Sequence, residues 1–225
     1  MRPGLVLAIA ASACGSPVRD PVLGSSANAA PLAIDPPFAV AIRTAAASYQ
    51  QWGRVDAKPK LAPALCRAPL PGNDGVAAAV RVSDAANSPH HDKLYYLWAS
   101  DKPAYLSASA AIPRGFTIVK ESFAAVALGA NDPPPAPPSS TVTNEIPPRT
   151  DVHTTAGARL GIGERADLFV MHKVGDRAGS DQGWIYGTVS IDGTVTSAGR
   201  VERCMGCHEH ATHERLFGLE DHTAR

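Results

Sequence analysis

Residues 115–128 have the sequence GFTIVKESFAAVAL, which is rich in β-branched and aromatic side chains and predicts a long β-strand. Alternation along a strand would place Phe116, Ile118 and Lys120 on one face. An unpaired ammonium group on an apolar face is costly, so the pattern favours a special role for Lys120. The simpler interpretation is a surface lysine that pairs with Glu121 or reaches water from an edge strand.

Neighbouring segments predict partners for this strand. Residues 93–99 (KLYYLWA) alternate, with Leu94, Tyr96 and Trp98 on one face, and residues 167–174 (DLFVMHKV) form a third candidate strand. Residues 183–199 predict a hairpin, because Asp192-Gly193 is a strong signal for a two-residue turn. These strands are close enough along the chain to pair in antiparallel fashion.

Helices are expected at both ends of this run of strands. Near the start of the chain, five residues at helical spacing would share one face of a helix: Phe38, Ile42, Ala45, Ala46 and Tyr49. A second helix is expected from about Val201, and residues 56–92 look irregular with several turn signals. The predicted fold class is therefore α+β, an antiparallel β-sheet with packed helices.

A proline-rich segment interrupts the strands at residues 131–150 (NDPPPAPPSSTVTNEIPPRT). Proline cannot donate to a strand ladder, so this segment cannot lie in the middle of a sheet. Because strands are expected on both sides of it, we interpret it as a long loop inside one domain that spans residues 37–225.

The overall charge excludes some function classes. The chain of 225 residues has 21 Lys and Arg against 21 Asp and Glu, so its formal net charge is zero. This balance gives no reason to expect nucleic-acid binding or basic attraction to a membrane surface. Any membrane association is expected to come only through a lipid anchor.

The N-terminus has the pattern of a bacterial export signal. Residues 1–13 contain one arginine and a short apolar run, and the small residues before Cys14 resemble a lipoprotein box. We therefore expect a signal peptide at residues 1–13, lipidation of Cys14, a flexible tether at residues 14–36, and a periplasmic or cell-envelope location. The alternative is ordinary signal cleavage nearby, with Cys14 discarded. Cys66 has no evident partner and is interpreted as a small buried residue.

The segment CMGCHEHATHE begins at Cys204 and contains the spacing C-x-x-C-H, which is typical of c-type haem attachment. Two thiols separated by two residues lie on one helical turn and can add to the two haem vinyl groups. The next residue, His208, would then lie under the iron as its axial ligand. The motif predicts one covalently bound haem c, held by Cys204, Cys207 and His208 on a C-terminal haem-attachment helix.

Other chemistries fit the same residues less well. Zinc could use Cys204, Cys207, His210 and His213, but structural zinc sites usually draw two ligands from a distant segment. A thioredoxin-like dithiol would need a βαβ setting, which the pattern lacks. His210 and His213 are more simply interpreted as solvent-exposed polar residues.

A sixth iron ligand from elsewhere in the chain stays open. The residues available by type are His90, His91, His153, Met171 and His172. Alternation along the strand places Met171 and His172 on opposite faces, but spacing alone singles out none of the five.

The order of these segments resembles the cytochrome P-460 family of exported c-type haem proteins. The resemblance runs through KLYYLWA (93–99), PRGFTIVKES (113–122), DLFVMHKVG (167–175), GWIYG (183–187) and AGRVERCMGCH (198–208), and covers roughly residues 38–219. It implies an antiparallel sheet with helices packed on it and a haem against one face.

The resemblance also implies candidate activities. In the namesake enzymes a strand lysine bonds covalently to the porphyrin, and Lys120 stands in that place here. Those enzymes oxidise hydroxylamine at a five-coordinate haem and pass electrons to another cytochrome, so this chain is a candidate oxidoreductase. The related beta-sheet cytochromes c-prime lack the lysine bond and bind nitric oxide and similar gases, which is the alternative. A simple electron carrier with two axial ligands is a third option, and a homodimer is one assembly left open.

Overall fold

The computed structural model describes residues 34–62, 67–69, 79–81, 93–107, 111–138, 148–154, 156–211 and 213–217. The predicted signal peptide, Cys14 and the tether up to residue 33 lie outside the described residues, as do Cys66, His90, His91 and residues 139–147. Among the described residues, no helix has both the length and the apolar character needed to cross a bilayer.

The central feature is an eight-stranded sheet whose named strands all pair antiparallel, with a few short helices. The predicted α+β class is confirmed at this level. The helices are α1 (Pro36–Ser48), a 3-10 turn (Tyr49–Gln51), α2 (Lys102–Leu106) and α3 (Glu202–His208). The strands are β1 (Gly53–Arg54), β2 (Lys60–Leu61), β3 (Arg67–Pro69), β4 (Ala79–Arg81), β5 (Lys93–Ala99), β6 (Thr117–Ala127), β7 (Asp151–His153), β8 (Arg159–Lys173), β9 (Trp184–Val189) and β10 (Val195–Gly199).

The main sheet has the strand order β1-β5-β6-β8-β9-β10. In addition, β2 pairs with β5 and β7 pairs with β8, while β3 and β4 form a separate ribbon. Strand β6 is therefore interior, and Lys120 lies between its partners Leu97 on β5 and Phe169 on β8. The edge-strand interpretation of Lys120 is wrong because β6 is paired on both sides.

Helix α1 covers one face of the sheet. It begins with two prolines after Asp35, positions where a missing N–H costs nothing, and it buries Phe38, Ile42 and Ala45. Ile42 packs against Gly187 on β9, where an added Cβ would meet the isoleucine side chain at 2.6–2.8 Å. A glycine is thus required there for the helix to lie this close to the sheet.

The buried carboxylate of Glu121 lies on the face of the sheet that α1 covers. Its side chain accepts hydrogen bonds from the Tyr49 hydroxyl at 2.6 Å and the Trp98 indole N–H at 3.1 Å. Arg165 lies 3.4 Å away and supplies a positive charge. The carboxylate is only 1% exposed, and these partners offset the cost of removing it from water.

The opposite face carries a second apolar cluster, which α2 and α3 help to form. Strand residues Ile118, Met171 and Tyr186 pack there with Cys204 and Met205 of α3. The sheet therefore separates the α1 face from the face that carries the cysteine motif.

The sequence-based elements agree with most of this structure. The first helix, the strand at residues 93–99 and the long strand after Gly115 are confirmed. The third strand starts at Arg159, eight residues before the predicted start, and residues 56–92 contain short strands. The hairpin is confirmed, but its connection has three residues between Ser190 and Thr194, with Gly193 at φ +87°. The described parts of the proline-rich segment lie outside strands and helices.

Candidate functional site

Helix α3 presents the cysteine motif. Cys204, Cys207 and His208 are spaced at i, i+3 and i+4, so they lie on one side of this helix. Val201, the residue before the helix, is buried and its carbonyl accepts the N–H groups of Cys204 and Met205. This buried start fixes the helix against the sheet, and Cys204 and Met205 pack on the apolar cluster there.

The Cys204 thiol is in a desolvated environment. Burial raises the pKa of Cys204 to about 11, against a weaker opposing effect from the nearby charge of Arg203. Catalytic dithiols have lowered pKa values, because the thiolate is the nucleophile. The environment of Cys204 therefore disfavours the thioredoxin-like alternative.

His208 is fixed in one tautomer. Its Nδ1 lies 2.6 Å from the carbonyl oxygen of Arg215, and a carbonyl can only accept, so Nδ1 carries the hydrogen. The lone pair of the ring is then on Nε2. Burial of the imidazole is the main cause that holds the pKa of His208 below its usual value, and the positive charge of Lys120 adds to it.

Two aromatic rings flank this imidazole. The centre of the Tyr186 ring lies 5.6 Å from that of His208, and the Phe217 ring lies at 5.2 Å. The Tyr186 hydroxyl donates to Asp181 at 2.9 Å, and Asp181 also accepts from the Arg215 guanidinium at 2.9 Å.

Sequence analysis missed Asp181, Tyr186 and Arg215 as residues of this site. Tyr186 occurs in a segment of the resemblance, GWIYG, but nothing in the sequence pointed to its contact with His208. Asp181 and Arg215 are 34 residues apart and meet only through the folding of the C-terminal turn. No local pattern could have revealed that pair.

Lys120 lies on the same sheet face as the apolar cluster behind α3. It is two residues from Ile118, which belongs to that cluster, so the two side chains share a face of β6. Its positive charge is near enough to lower the pKa of His208. Its amine lies 3.9 Å from the centre of the Tyr95 ring. Tyr95, Leu97 and Phe169 are half-buried around it, so this part of the sheet is an apolar surface that the described helices leave partly open.

The remaining candidate axial ligands differ in placement. Met171 is buried in the cluster that contains Cys204. His172 lies on the other side of β8, where its Nδ1 is 2.7 Å from the Thr117 hydroxyl oxygen. His153 is exposed in β7 and pairs with Arg159, at the opposite end of β8 from Met171. Met171 is therefore the described candidate on the same sheet face as the cysteine motif.

The zinc alternative has little support in the geometry. Within the described parts of the chain, which include all four proposed ligands, no three His, Cys, Asp or Glu side chains group as a metal site. His210 instead lies 3.4 Å from Glu209. The expectation that His210 and His213 are solvent-exposed is wrong, because both residues are half-buried and the Nε2 of His213 is enclosed.

No protein-family model matches this sequence, and no curated protein matches it either. The resemblance to cytochrome P-460 thus rests on the motifs themselves and on their order along the chain.

Proposed function

We propose that this chain is an exported mono-haem c-type cytochrome whose haem is bonded to Cys204 and Cys207, with His208 as the axial ligand. The observation that carries this proposal is the state of His208. Its Nδ1–H is engaged by the Arg215 carbonyl, which leaves the Nε2 lone pair for a metal, and both thiols lie on the same side of α3. Metal-bound histidines typically donate their second nitrogen in this way.

The surroundings of α3 suit a flat apolar group. The half-buried strip of Tyr95, Leu97 and Phe169 lies on the same sheet face as the cluster that packs against α3. A macrocycle attached to the C-terminal helix would cover apolar surface there that is now partly open to water, and this burial would be favourable.

For the activity, we propose oxidation of hydroxylamine or a related small nitrogen compound, with electrons passed to another cytochrome. When bound, the haem would supply the redox centre for this chemistry. The residues of the chain would hold His208 neutral and oriented, exclude water with the apolar strip, and bring the Lys120 amine beside the ring. Lys120 favours the oxidase over the gas-binding protein, because its side chain lies on the sheet face that carries the cysteine motif.

The second candidate is binding of nitric oxide or a similar gas. The observation in its favour is the apolar character of the half-buried strip, because small neutral gases need no polar partner. A covalent bond between Lys120 and the porphyrin would separate the oxidase from the gas-binding protein.

The proposed location follows from the first 36 residues alone. The export signal predicts a periplasmic or cell-envelope protein, and Cys14 would provide the lipid anchor. Haem attachment to C-x-x-C-H outside the cytoplasm is consistent with that signal.

The test is expression with a haem-ligation system, followed by intact-mass analysis under denaturing conditions. One haem that stays attached is the expected result, and the Cys204→Ser/Cys207→Ser protein is the matched control that should lose it. Absorption of the reduced protein before and after carbon monoxide should change strongly if a coordination position is open. Purification of the wild-type protein with zinc and without haem would refute the proposal.

A further inference from the structure

A buried ion pair lies directly behind the candidate axial histidine. The Arg215 guanidinium donates to Asp181 at 2.9 Å, and the two side chains are only 11% and 7% exposed. The backbone carbonyl of the same arginine accepts the His208 Nδ1–H at 2.6 Å. Arg215 therefore connects Asp181 to His208, because its side chain binds the carboxylate and its backbone carbonyl binds the imidazole.

The turn that presents this carbonyl has an unfavourable backbone. Glu214 and Arg215 have φ values of 42° and 71°, in the left-handed region that non-glycine residues rarely adopt. Such a conformation persists only when its surroundings fix it. The Asp181 contact is one restraint, and the pairing of Glu214 with Lys173 at 2.8 Å is another.

Asp181 also reaches His208 by a second path. It accepts from the Tyr186 hydroxyl at 2.9 Å, and the Tyr186 ring packs against the imidazole with centres 5.6 Å apart. Because Tyr186 is 1% exposed and lies in an interior strand, its ring has little freedom to move. The carboxylate thus holds both the hydrogen-bond acceptor of His208 and one of its ring neighbours.

From this arrangement we infer that Asp181 and Arg215 are positioning residues for His208, and that they set its tautomer and the strength of its bond to the metal. The inference rests on the proposed haem function for its consequences, but the tautomer itself is a property of the protein. A strong Nδ1–H hydrogen bond makes the imidazole a better electron donor through Nε2. A better donor stabilises the oxidised iron and lowers the reduction potential.

The test compares Asp181→Asn with Asp151→Asn. Asp151 forms a similar buried pair with Arg159 at 2.8 Å, but at β7, away from the cysteine motif, so it controls for general loss of stability. In the haem-loaded protein, Asp181→Asn should lower the iron–histidine stretching frequency and raise the midpoint potential. Asp151→Asn should leave both at the wild-type values.

A second variant covers the case in which Asp181→Asn does not fold. Arg215→Gln removes the guanidinium while keeping the backbone carbonyl, and it should shift the frequency and the potential in the same direction. Unchanged values in a folded Asp181→Asn or Arg215→Gln protein would overturn the inference. Failure of both variants to fold while Asp151→Asn folds would also overturn it, because the pair would then be structural rather than positioning.

Failure of the proposed function is distinguishable from failure of this inference. If the wild-type protein takes up no haem, the function proposal fails. Nitrogen-15 NMR of the haem-free protein still reports the His208 tautomer, which should be Nδ1–H in the wild type and mixed in Arg215→Gln. A mixed tautomer in the wild type would contradict the positioning role directly.

Discussion

The Lys120 amine lies 3.9 Å from the centre of the Tyr95 ring, across the interior pair of strands β5 and β6. Lys120 is thereby held on the face that carries α3 rather than turned to the face of α1. A second lysine of this surface, Lys93, has its amine 5.5 Å from the centre of the Phe169 ring. The two lysines are a natural pair for comparison.

We expect the haem peptide of the wild-type protein to contain both residues 204–208 and Lys120. Joining the amine nitrogen to a ring carbon would break one N–H and one C–H bond, and a two-electron oxidant such as a peroxide, reduced to water, would take up the two electrons and two protons released. The new bond would fix the haem to β6. Lys120→Met should keep the thioether bonds and lose the additional link, whereas Lys93→Met should keep all of them. Peptide mapping by mass spectrometry makes the comparison, and a wild-type haem peptide without Lys120 would favour gas binding.

The iron is expected to be five-coordinate and high-spin, so replacement of Met171 should not change its spin state. Leucine has a similar volume, so Met171→Leu should cost less than about 1.5 kcal/mol. Absorption and electron paramagnetic resonance spectra of the wild type and Met171→Leu should agree, with His172→Gln as the control on the opposite face. A low-spin wild-type spectrum that Met171→Leu abolishes would identify a simple electron carrier.

Gly187→Ala should destabilise the fold. The new methyl group would lie 2.6 Å from the nearest carbon of Ile42, a residue with no exposed surface, and overpacking of this kind costs about 1–3 kcal/mol. Urea denaturation measures the loss. Ile42→Ala should be less harmful in the Gly187→Ala background than in the wild type, because it removes the clash. Additive effects of the two changes would argue against the close contact.

The stability of the protein should fall on mild acidification, in part through His172. Burial lowers the pKa of His172, so the folded protein binds its proton less readily than the unfolded chain, whose histidine pKa is about 6.5. The free energy of unfolding is then highest above about pH 6.5 and decreases as the pH falls through the folded-state pKa. His172→Gln should reduce this decrease relative to the wild type. Urea midpoints between about pH 5 and 7.5 provide the measurement, and equal slopes in the two proteins would contradict the prediction.

Cys14 should be required for attachment to the membrane. A bacterial lipoprotein carries several acyl chains, which anchor far more firmly than one. Cys14→Ser should move the protein from the membrane fraction to the soluble periplasmic fraction, while Cys66→Ser should leave its distribution unchanged. Retention of Cys14→Ser in washed membranes would rule out lipidation at that residue.

Period-two patterns were sufficient to predict strands in which every second side chain is buried on one face, as at residues 93–99. They failed at the start of β8, where Gly161 and Gly163 interrupt the pattern. Those glycines are present because a Cβ at either position would meet Leu128 or Val126 side chains within 2.8 Å. The reason is a tertiary contact, and a one-dimensional pattern does not contain it.

The candidate site was predictable only in the part that is local in sequence. Cys204, Cys207 and His208 lie within one helix, and their spacing indicates their chemistry. The contact between Asp181 and Arg215 depends on a turn in which Glu214 and Arg215 have left-handed backbone conformations. Neither residue is a glycine, so the usual sequence signal for such a turn is missing.

Lys120 and Glu121 are consecutive residues that point to opposite faces of the sheet. A slip of β6 by one position would turn the carboxylate towards the cysteine motif and bury the amine beneath α1. The hydrogen bonds from Tyr49 and Trp98 to Glu121 can form in only one of these registers, so they specify the register of β6. Mutations beneath α1 are therefore expected to change whether Lys120 or Glu121 faces the cysteine motif, although they lie on the other side of the sheet.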